Sequence, residues 1–155
     1  MDKLELKNLN KELEIIGVES VNYLRQILSE NNKYASGDLI KSLDFQIIKN
    51  IDTLMLKILA SDHFKYVDEG RKKGKMPPTK PIEKWIKQKN LKFGKMNSKQ
   101  ASFVVARSIG KKGIKPMNLI SKLNDNILSR RLEILKNATQ EDIQDLIDKI
   151  FYSNK

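Results

Sequence analysis

A glycine-bracketed basic loop, Gly70 to Met76, is the segment with the most evident chemical potential. Its sequence, GRKKGKM, precedes Pro77 and Pro78 and suggests a phosphate-binding loop, a nucleic-acid clamp or a docking loop of an assembly. A P-loop has the form G-x-x-x-x-G-K-[ST], in which backbone N–H groups wrap a phosphate and a hydroxyl binds Mg²⁺. Here Gly74 comes one residue too early, Met76 replaces the hydroxyl, and the prolines lack N–H donors. The pattern therefore argues against a P-loop.

The sequence contains little that indicates a metal site or a catalytic nucleophile. His63 is the only histidine, and the absence of cysteine removes thiolate ligands and disulfides and agrees with a reducing compartment. Asp142, Asp145 and Asp148 recur at helical spacing, but we expect them to be solvated on the polar face of an amphipathic helix. A catalytic triad needs a histidine base within reach of the nucleophile, and His63 alone gives no such pattern.

The acidic pair Asp68 and Glu69 lies next to Arg71, Lys72 and Lys73. Local ion pairing or ordering of the loop explains this pair better than general acid–base catalysis. The sequence thus predicts no catalytic, cofactor or metal site, and no enzyme.

The positive charge of the chain is concentrated in its middle third. The 155 residues carry a formal net charge of +11, and residues 65–115 contain 16 basic and 3 acidic residues, a net of +13. Such a segment attracts nucleic acid, an acidic protein face or anionic lipid, although a solvated lysine-rich surface has the same composition. No run of about 18 apolar residues predicts a membrane span, and the acidic start of the chain is not a secretory signal.

Apolar periodicity predicts a long helix over residues 3–30, with a slip near Gly17, ended by the segment SENNKYASGD. Such a helix packs on its own domain or on a partner helix. Alternation of apolar residues from Leu39 to Ile47 and from Leu54 to Ala60 predicts two strands of a β-hairpin around the turn KNID. Two strands alone are marginally stable, so helices or a strand of a neighbouring subunit must complete them.

The remaining segments predict helices, with one short turn over Asp62–Asp68. Thr79 is the expected N-cap of a helix that contains Pro81 in its first turn and the apolar stripe Ile82, Trp85 and Ile86. We expect this stripe to be a core anchor, with stacking of Trp85 on a base as the alternative.

Further helices are predicted from Ser98 to a stop at Gly113, from Asn118 to Leu135, and from a capping box at Thr139–Asp142 onward. The predicted apolar face of the first comprises Ala101, Val104, Val105, Ser108 and Ile109. That of the last comprises Ile143, Leu146, Ile147, Ile150 and Phe151. The predicted fold is α+β: a long N-terminal helix, a β-hairpin and a helical C-terminal half. One domain is expected, divided into residues 1–35, 36–120 and 121–155.

Residues 36–120 contain three segments that occur in a characteristic order: the strand-like SGDLIKSLDFQI, then YVDEGRKKGKMPPTKPIEKWIKQKNL, then FVVARSIGKKGIKPMNL. In these segments the chain resembles the small tail-component, or tail-completion (head–tail joining), proteins of tailed bacteriophages. The matching positions are Tyr66, Val67, Gly70, Gly74 to Pro78, Ile82, Trp85, Ile86, Ala106, Arg107, Ile109, Gly113, Ile114 and Pro116. The family usually has an aromatic residue shortly after the last proline, where this chain has Met117, Asn118 and Leu119.

The resemblance implies a structural virion protein without catalysis or cofactor. It would be made in the host bacterial cytoplasm and would assemble as a homo-oligomeric ring in the neck or tail, next to portal-adjacent or tail proteins and passing DNA. The expected assembly loop comprises Tyr66, Gly70, Arg71, Lys72, Lys73, Gly74, Lys75, Met76, Pro77 and Pro78. The alternative is a basic nucleic-acid-binding module without sequence specificity, which would show salt-sensitive contacts to phosphates.

Overall fold

The fold is α+β, as predicted from the sequence. A computed structural model describes residues 6–31, 37–50 and 53–152. The elements in order are α1 (Lys7–Glu30), α2 (Gly37–Ser42), β1 (Asp44–Lys49), β2 (Leu54–Leu59), α3 (His63–Asp68), α4 (Thr79–Gln88), α5 (Ser98–Lys112), α6 (Leu119–Leu123), a π-helical segment (Asn124–Leu128) and α7 (Ser129–Tyr152). Residues 3–5 of the predicted first helix, and parts of its stop segment and of the hairpin turn, lie outside the described residues.

Contacts group the chain into two compact units. Unit 1 comprises Met1–Ile27, Ser42–Ala60 and Ile120–Lys155, and unit 2 comprises Leu28–Lys41 and Ser61–Leu119. Among the described residues of unit 1, the buried apolar ones are Ile16, Val21, Leu24, Ile27, Leu43, Leu123 and Ala138. Among those of unit 2, they are Leu28, Leu39, Val67, Ile86, Ala101, Ala106 and Leu119. The division into three segments of a single domain stays a prediction.

In α1 the slip in apolar spacing at Gly17 has a packing cause. A Cβ atom at Gly17 would collide with the ring of Phe45 on β1, so glycine lets the aromatic ring approach the helix backbone. The antiparallel strands β1 and β2 pair from Asp44 opposite Leu59 to Lys49 opposite Leu54. The predicted hairpin is therefore confirmed, and it fixes the position of Phe45 against α1.

The predicted start of the first strand is wrong. Leu39 lies in α2, where it is 1% exposed, and the strand begins only at Asp44. Leu39 and Leu43 are four residues apart, a spacing that satisfies both the helical and the strand period. Asp38, in the first turn of α2, complements the positive end of the helix dipole and favours the helix.

Two predicted N-caps are displaced by one residue. Helix α4 begins at Thr79, after Pro78, so Thr79 is its first residue and not its cap. Helix α5 is capped by Asn97 and not by Ser98: the Asn97 side chain accepts from Gln100 N at 2.9 Å, and the Gln100 side chain accepts from Asn97 N at 3.1 Å. Ser98 instead donates its hydroxyl to Glu83 at 3.3 Å.

The buried face of α5 also differs from the predicted stripe. Ala101, Ser102, Ala106 and Gly110 are buried, whereas Val104 is 48% exposed. Small side chains allow close approach of neighbouring backbone, and a Cβ at Gly110 would lie 3.2 Å from the Gly74 carbonyl oxygen. Close backbone packing, and not the largest apolar area, therefore selects the buried face of α5.

The C-terminal segment forms one continuous helical run from Leu119 to Tyr152, so the prediction of two separate helices there is wrong. The backbone remains helical at Leu123 and Ser129, on either side of the π-helical segment. Thr139 does not cap a helix, because its hydroxyl donates to the Leu135 carbonyl one turn earlier at 2.8 Å. The Asp142 carboxylate binds backbone N–H groups of α1, so the expectation that Asp142 is solvated is wrong as well.

Candidate assembly surface around the basic loop

The basic loop is tied along its length to the segment that follows α5. Arg71 and Ile114 exchange two backbone hydrogen bonds, of 2.9 and 2.8 Å. Before this pair, the Val67 and Asp68 carbonyls accept from Met117 N at 3.0 Å and from Asn118 N at 3.1 Å. After it, Gly74 N donates to the Gly110 carbonyl at 2.7 Å. Residues 67–74 therefore lie against residues 110–118, although some forty positions separate the two segments in the sequence.

Two glycines make this close pairing possible. Gly70 and Gly113 have φ values of 72° and 75°, in the left-handed region that other residues adopt at a cost. A Cβ at Gly70 would collide with the Ile114 carbonyl oxygen, and one at Gly113 would collide with the Arg71 carbonyl oxygen. The predicted stop of α5 at Gly113 is confirmed, and the same glycine also faces the loop.

The four cations of the loop are not equivalent. Arg71 is half-buried, and its Nη2 atom donates to the Lys75 carbonyl at 3.0 Å, which closes the loop upon itself. Lys72, Lys73 and Lys75 are exposed. Arg71 thus shapes the loop, while the three lysines present its charge.

The other predicted loop residues are mostly at the surface. Tyr66 is 51% exposed and Met76 is 39% exposed. Pro77 is half-buried and Pro78 is exposed, with Pro78 in an extended conformation directly before α4. Tyr66 belongs to α3, on the same segment that enters the loop.

The three residues of the predicted core anchor differ in burial. Ile86 is 2% exposed, whereas Ile82 and Trp85 are half-buried. Trp85 lines a groove of about 890 Å³ within unit 2, formed by α2, α3, α4, α5 and the segment 113–115. The role of Trp85 as a core anchor stays a prediction, since its side chain is accessible from this groove.

Glu83 is an acidic residue within this basic unit. Its carboxylate lies 2.7 Å from Lys87 Nζ, and the hydrogen bond from Lys87 holds the pKa of Glu83 below its ordinary value, with smaller contributions from Ser98 and Lys99. Glu83 thereby joins one turn of α4 to the start of α5 through Ser98.

Among residues 6–31, 37–50 and 53–152, no group of three or more His, Cys, Asp or Glu residues is placed to hold an ion. His63 is exposed at the start of α3. Over the same ranges, no helix has the length and apolar character needed to cross a bilayer.

No protein-family model, curated protein or solved structure matches this chain significantly.

Two residues that shape the contacts of the loop were not predicted from the sequence. Gly110 accepts the hydrogen bond from Gly74 through its carbonyl, and Asn118 adopts a positive φ of 52° where the chain enters α6. The sequence signal for Asn118 was its residue type, because asparagine tolerates the left-handed region better than most residues. For Gly110, inside a helix, no local signal distinguishes a contact glycine from a weak helix former.

Proposed function

We propose that this protein is a structural subunit of a tailed bacteriophage, a neck or tail-completion ring subunit that joins head and tail. One observation carries the proposal. The two segments on which the family resemblance rests, around residues 66–78 and 106–116, are tied to each other by the backbone hydrogen bonds of Arg71, Gly74, Gly110 and Ile114. The separated parts of the motif thus contact each other in the folded chain. This contact supports the view that the resemblance is more than a chance match.

The loop has the properties of a docking element. Its backbone is fixed by hydrogen bonds at Arg71 and Gly74 and is followed by two prolines, so little conformational freedom remains to be lost on binding. Its exposed charge, on Lys72, Lys73 and Lys75, suits an acidic face of a neighbouring ring or the backbone of passing DNA.

The hairpin offers a second route to assembly. The sheet in the described part of the chain has two strands, β1 and β2, each with one neighbour. The outer edges of such strands carry backbone groups that can pair with a strand of another subunit. In this proposal the subunit catalyses no reaction and needs no cofactor. It is made in the host bacterial cytoplasm and is incorporated into the virion.

Loop variants test the proposal. We expect the triple substitution Lys72→Gln, Lys73→Gln and Lys75→Gln to leave the melting temperature nearly unchanged, because exposed charges contribute little to stability. It should reduce incorporation of the subunit into particles, measured by mass spectrometry of purified virions. The matched control, with Lys92, Lys95 and Lys99 changed to Gln, removes the same charge from other exposed positions and should assemble normally. Absence of the wild-type chain from purified particles would contradict the proposal.

Nucleic-acid binding is the second candidate, and the distribution of charge between the units favours it. By sequence, unit 2 contains 18 basic and 6 acidic residues, a net of +12, whereas unit 1 contains 12 and 13, a net of −1. A gel shift with duplex DNA at about 0.15 M salt separates the candidates. A dedicated binding module should remain bound there, whereas an isolated ring subunit should bind weakly.

A further inference from the structure

The groove within unit 2 combines an apolar interior with a cationic rim. Val67, Trp85, Val105, Ile109 and Ile114 are among the apolar residues that line it. Its volume of about 890 Å³ lies within the range of sites that bury a ligand.

Lysines dominate the rim of this groove. Lys80, Lys84, Lys112 and Lys115 line it, and all four are exposed. The acidic residue of the lining, Asp38, accepts a hydrogen bond from Gln88 Nε2 at 2.8 Å. The groove is therefore suited to a ligand that carries both apolar side chains and negative charge.

The last turns of α7 expose a row of large apolar side chains. Ile143, Ile147 and Ile150 follow the i, i+4, i+7 spacing of a helix face and are 49%, 40% and 67% exposed. Phe151, beside them, is 72% exposed. This spacing is that of the anchor residues with which an amphipathic helix enters a groove. We call residues 139–152 the α7 tail.

The α7 tail is acidic. It contains four acidic residues and one lysine, a net of −3, and Glu141, Asp145 and Asp148 are exposed. Association of two such tails with each other would place like charges together, which opposes binding. The charge of the tail therefore favours a basic partner surface over a second tail.

We infer that the α7 tail of one copy of this chain docks in the lysine-rimmed groove of unit 2 of another copy. Ile143, Ile147 and Ile150 would enter the apolar interior, with the exposed carboxylates of Glu141, Asp145 and Asp148 near the lysine rim. The contact joins different surfaces of the two copies, so one copy keeps a free groove and the other keeps a free tail, and repetition generates a ring or an open chain. The inference deepens the ring proposed above and rests on it.

A second apolar surface in unit 2 provides an internal comparison. It is lined by Phe93, Met96, Phe103 and Val104, with Lys95 and Lys99 among its neighbours, and its volume of about 770 Å³ is the smaller of the two. Because two lysines line it and four line the groove, charge favours the groove as the site of docking.

Charge-reversal variants of the full chain test the docking. The groove variant carries Lys80→Glu, Lys84→Glu, Lys112→Glu and Lys115→Glu. The tail variant carries Glu141→Lys, Asp145→Lys and Asp148→Lys. All seven positions are exposed, so circular dichroism should show folded proteins. Sedimentation velocity should show that the wild type associates as its concentration rises, whereas each variant requires a roughly tenfold or higher concentration.

Combining the groove substitutions with the tail substitutions gives the decisive result. An equimolar mixture of the groove and tail variants, or one chain that carries both sets of substitutions, should regain association because opposite charges face each other again. A matched control with Lys92, Lys95, Lys99 and Lys111 changed to Glu reverses four other exposed charges, two of them on the second surface, and should associate like the wild type. A monomeric wild type, wild-type association of both variants, loss of association in the control, or no recovery on recombination would each overturn the docking.

The outcomes also separate this inference from the proposed function. If the chain occurs in particles but its association is unaffected by the groove and tail variants, the docking is wrong and the neck role stands. If groove and tail associate as described but the chain is absent from purified particles, the neck role is wrong and the docking stands.

Discussion

Asp142 lies within α7, yet its carboxylate caps a different helix. Its two oxygens accept from Asn8 N at 3.0 Å and from Leu9 N at 2.8 Å, in the first turn of α1, where backbone N–H groups lack partners within the helix. The side chain is 2% exposed. A negative charge at a helix N-terminus also complements the helix dipole. One residue thereby connects the two long helices of unit 1.

Replacing Asp142 should reduce stability. We expect Asp142→Ala to lower the free energy of unfolding by about 1–2 kcal/mol, as for removal of an N-cap side chain. Urea denaturation followed by circular dichroism measures this change. Asp145→Ala, at an exposed position one turn later, is the control and should remain within about 0.5 kcal/mol of the wild type. Equal effects of the two substitutions would refute the capping role.

Arg131 joins the same two helices by charge. Its Nη1 atom donates to Glu12 Oε1 at 2.9 Å, its Nε atom donates to Glu19 Oε2 at 3.0 Å, and its Nη2 atom contacts Glu19 Oε1. These hydrogen bonds from Arg131 hold the pKa of the Glu19 carboxyl below its ordinary value of 4.5, against the opposing effect of burial. The folded protein thus favours ionised Glu19.

This lowered pKa predicts an acid-sensitive contribution to stability. A carboxyl whose pKa is lower when folded stabilises the protein above its unfolded-state pKa, and the contribution disappears as the pH falls through the folded-state value. The free energy of unfolding should therefore decline below about pH 4.5 less steeply in Arg131→Met than in the wild type. Denaturation across pH 3–7 measures the slopes (a range of about four units around the ordinary carboxyl pKa). Arg130→Met should keep most of the wild-type slope, and identical slopes in all three proteins would refute the assignment.

At the scale of elements, the pairing of residues 67–74 with 110–118 depends on Gly70, and Gly94, which lies outside the pairing, provides a comparison. Gly70 and Gly94 both have positive φ, at 72° and 57°. Gly70 faces the Ile114 carbonyl and lies where a Cβ would come within 2.7 Å of Pro116 N, whereas nothing lies within 4 Å of a Cβ at Gly94.

The comparison of Gly70→Ala with Gly94→Ala separates backbone conformation from packing. We expect Gly94→Ala to cost about 1–2 kcal/mol, the price of a left-handed conformation. Gly70→Ala should cost about 1–3 kcal/mol more, because the loop must also move away from Ile114. Thermal and urea denaturation measure both. A loop that is not tied to residues 110–118 would give similar losses for the two substitutions.

Helix α4 places the side chain of Ile86 in the interior and that of the neighbouring Trp85 in the groove. Ile86→Ala should lower the free energy of unfolding by about 2–5 kcal/mol, as for a large aliphatic residue in a core. Trp85→Ala should instead show its main defect in self-association, because tryptophan in a groove is a typical interface anchor. Sedimentation velocity at a temperature where both variants are folded compares them. If Trp85→Ala associates normally, the role of Trp85 is purely structural.

At the scale of the whole molecule, charge is divided between the two units. Unit 2 carries a net of +12 by sequence and unit 1 a net of −1, so attraction of polyanions belongs to unit 2. Such attraction is governed by counterion release and carries no sequence information.

This division predicts which lysines govern contact with DNA. We expect weak duplex binding at low salt that disappears as salt rises, with no preference among sequences. Neutralising Lys72, Lys73 and Lys75 should reduce the slope of log affinity against log salt by up to about 2–3, since each lost phosphate contact removes roughly 0.9. Fluorescence anisotropy measures the slope. Neutralising Lys57, Lys122 and Lys136 of unit 1 should leave it unchanged, and equal effects of both sets would show that the charge acts without regard to position.

The sequence by itself determined the features that depend on neighbours along the chain. Apolar spacing predicted α1, alternation predicted the paired part of the hairpin, and Gly113 marked the end of α5. The basic loop was evident as a candidate site because its residue types alone define its charge. These features follow from the helical and strand periods and from the conformational freedom of glycine, all of which act within a few residues.

Only the tertiary structure decided which surfaces meet. The spacing of Leu39 and Leu43 fits a helix and a strand equally, and Thr139–Asp142 has the form of a helix start, yet Asp142 caps α1 from 134 positions away in the sequence. The pairing of Arg71 with Ile114, the small-residue face of α5 and the exposure of Ile150 and Phe151 are likewise consequences of packing. A local pattern shows that a side chain needs a partner, but the partner's identity depends on backbone and side chains that only the folded chain brings within contact distance.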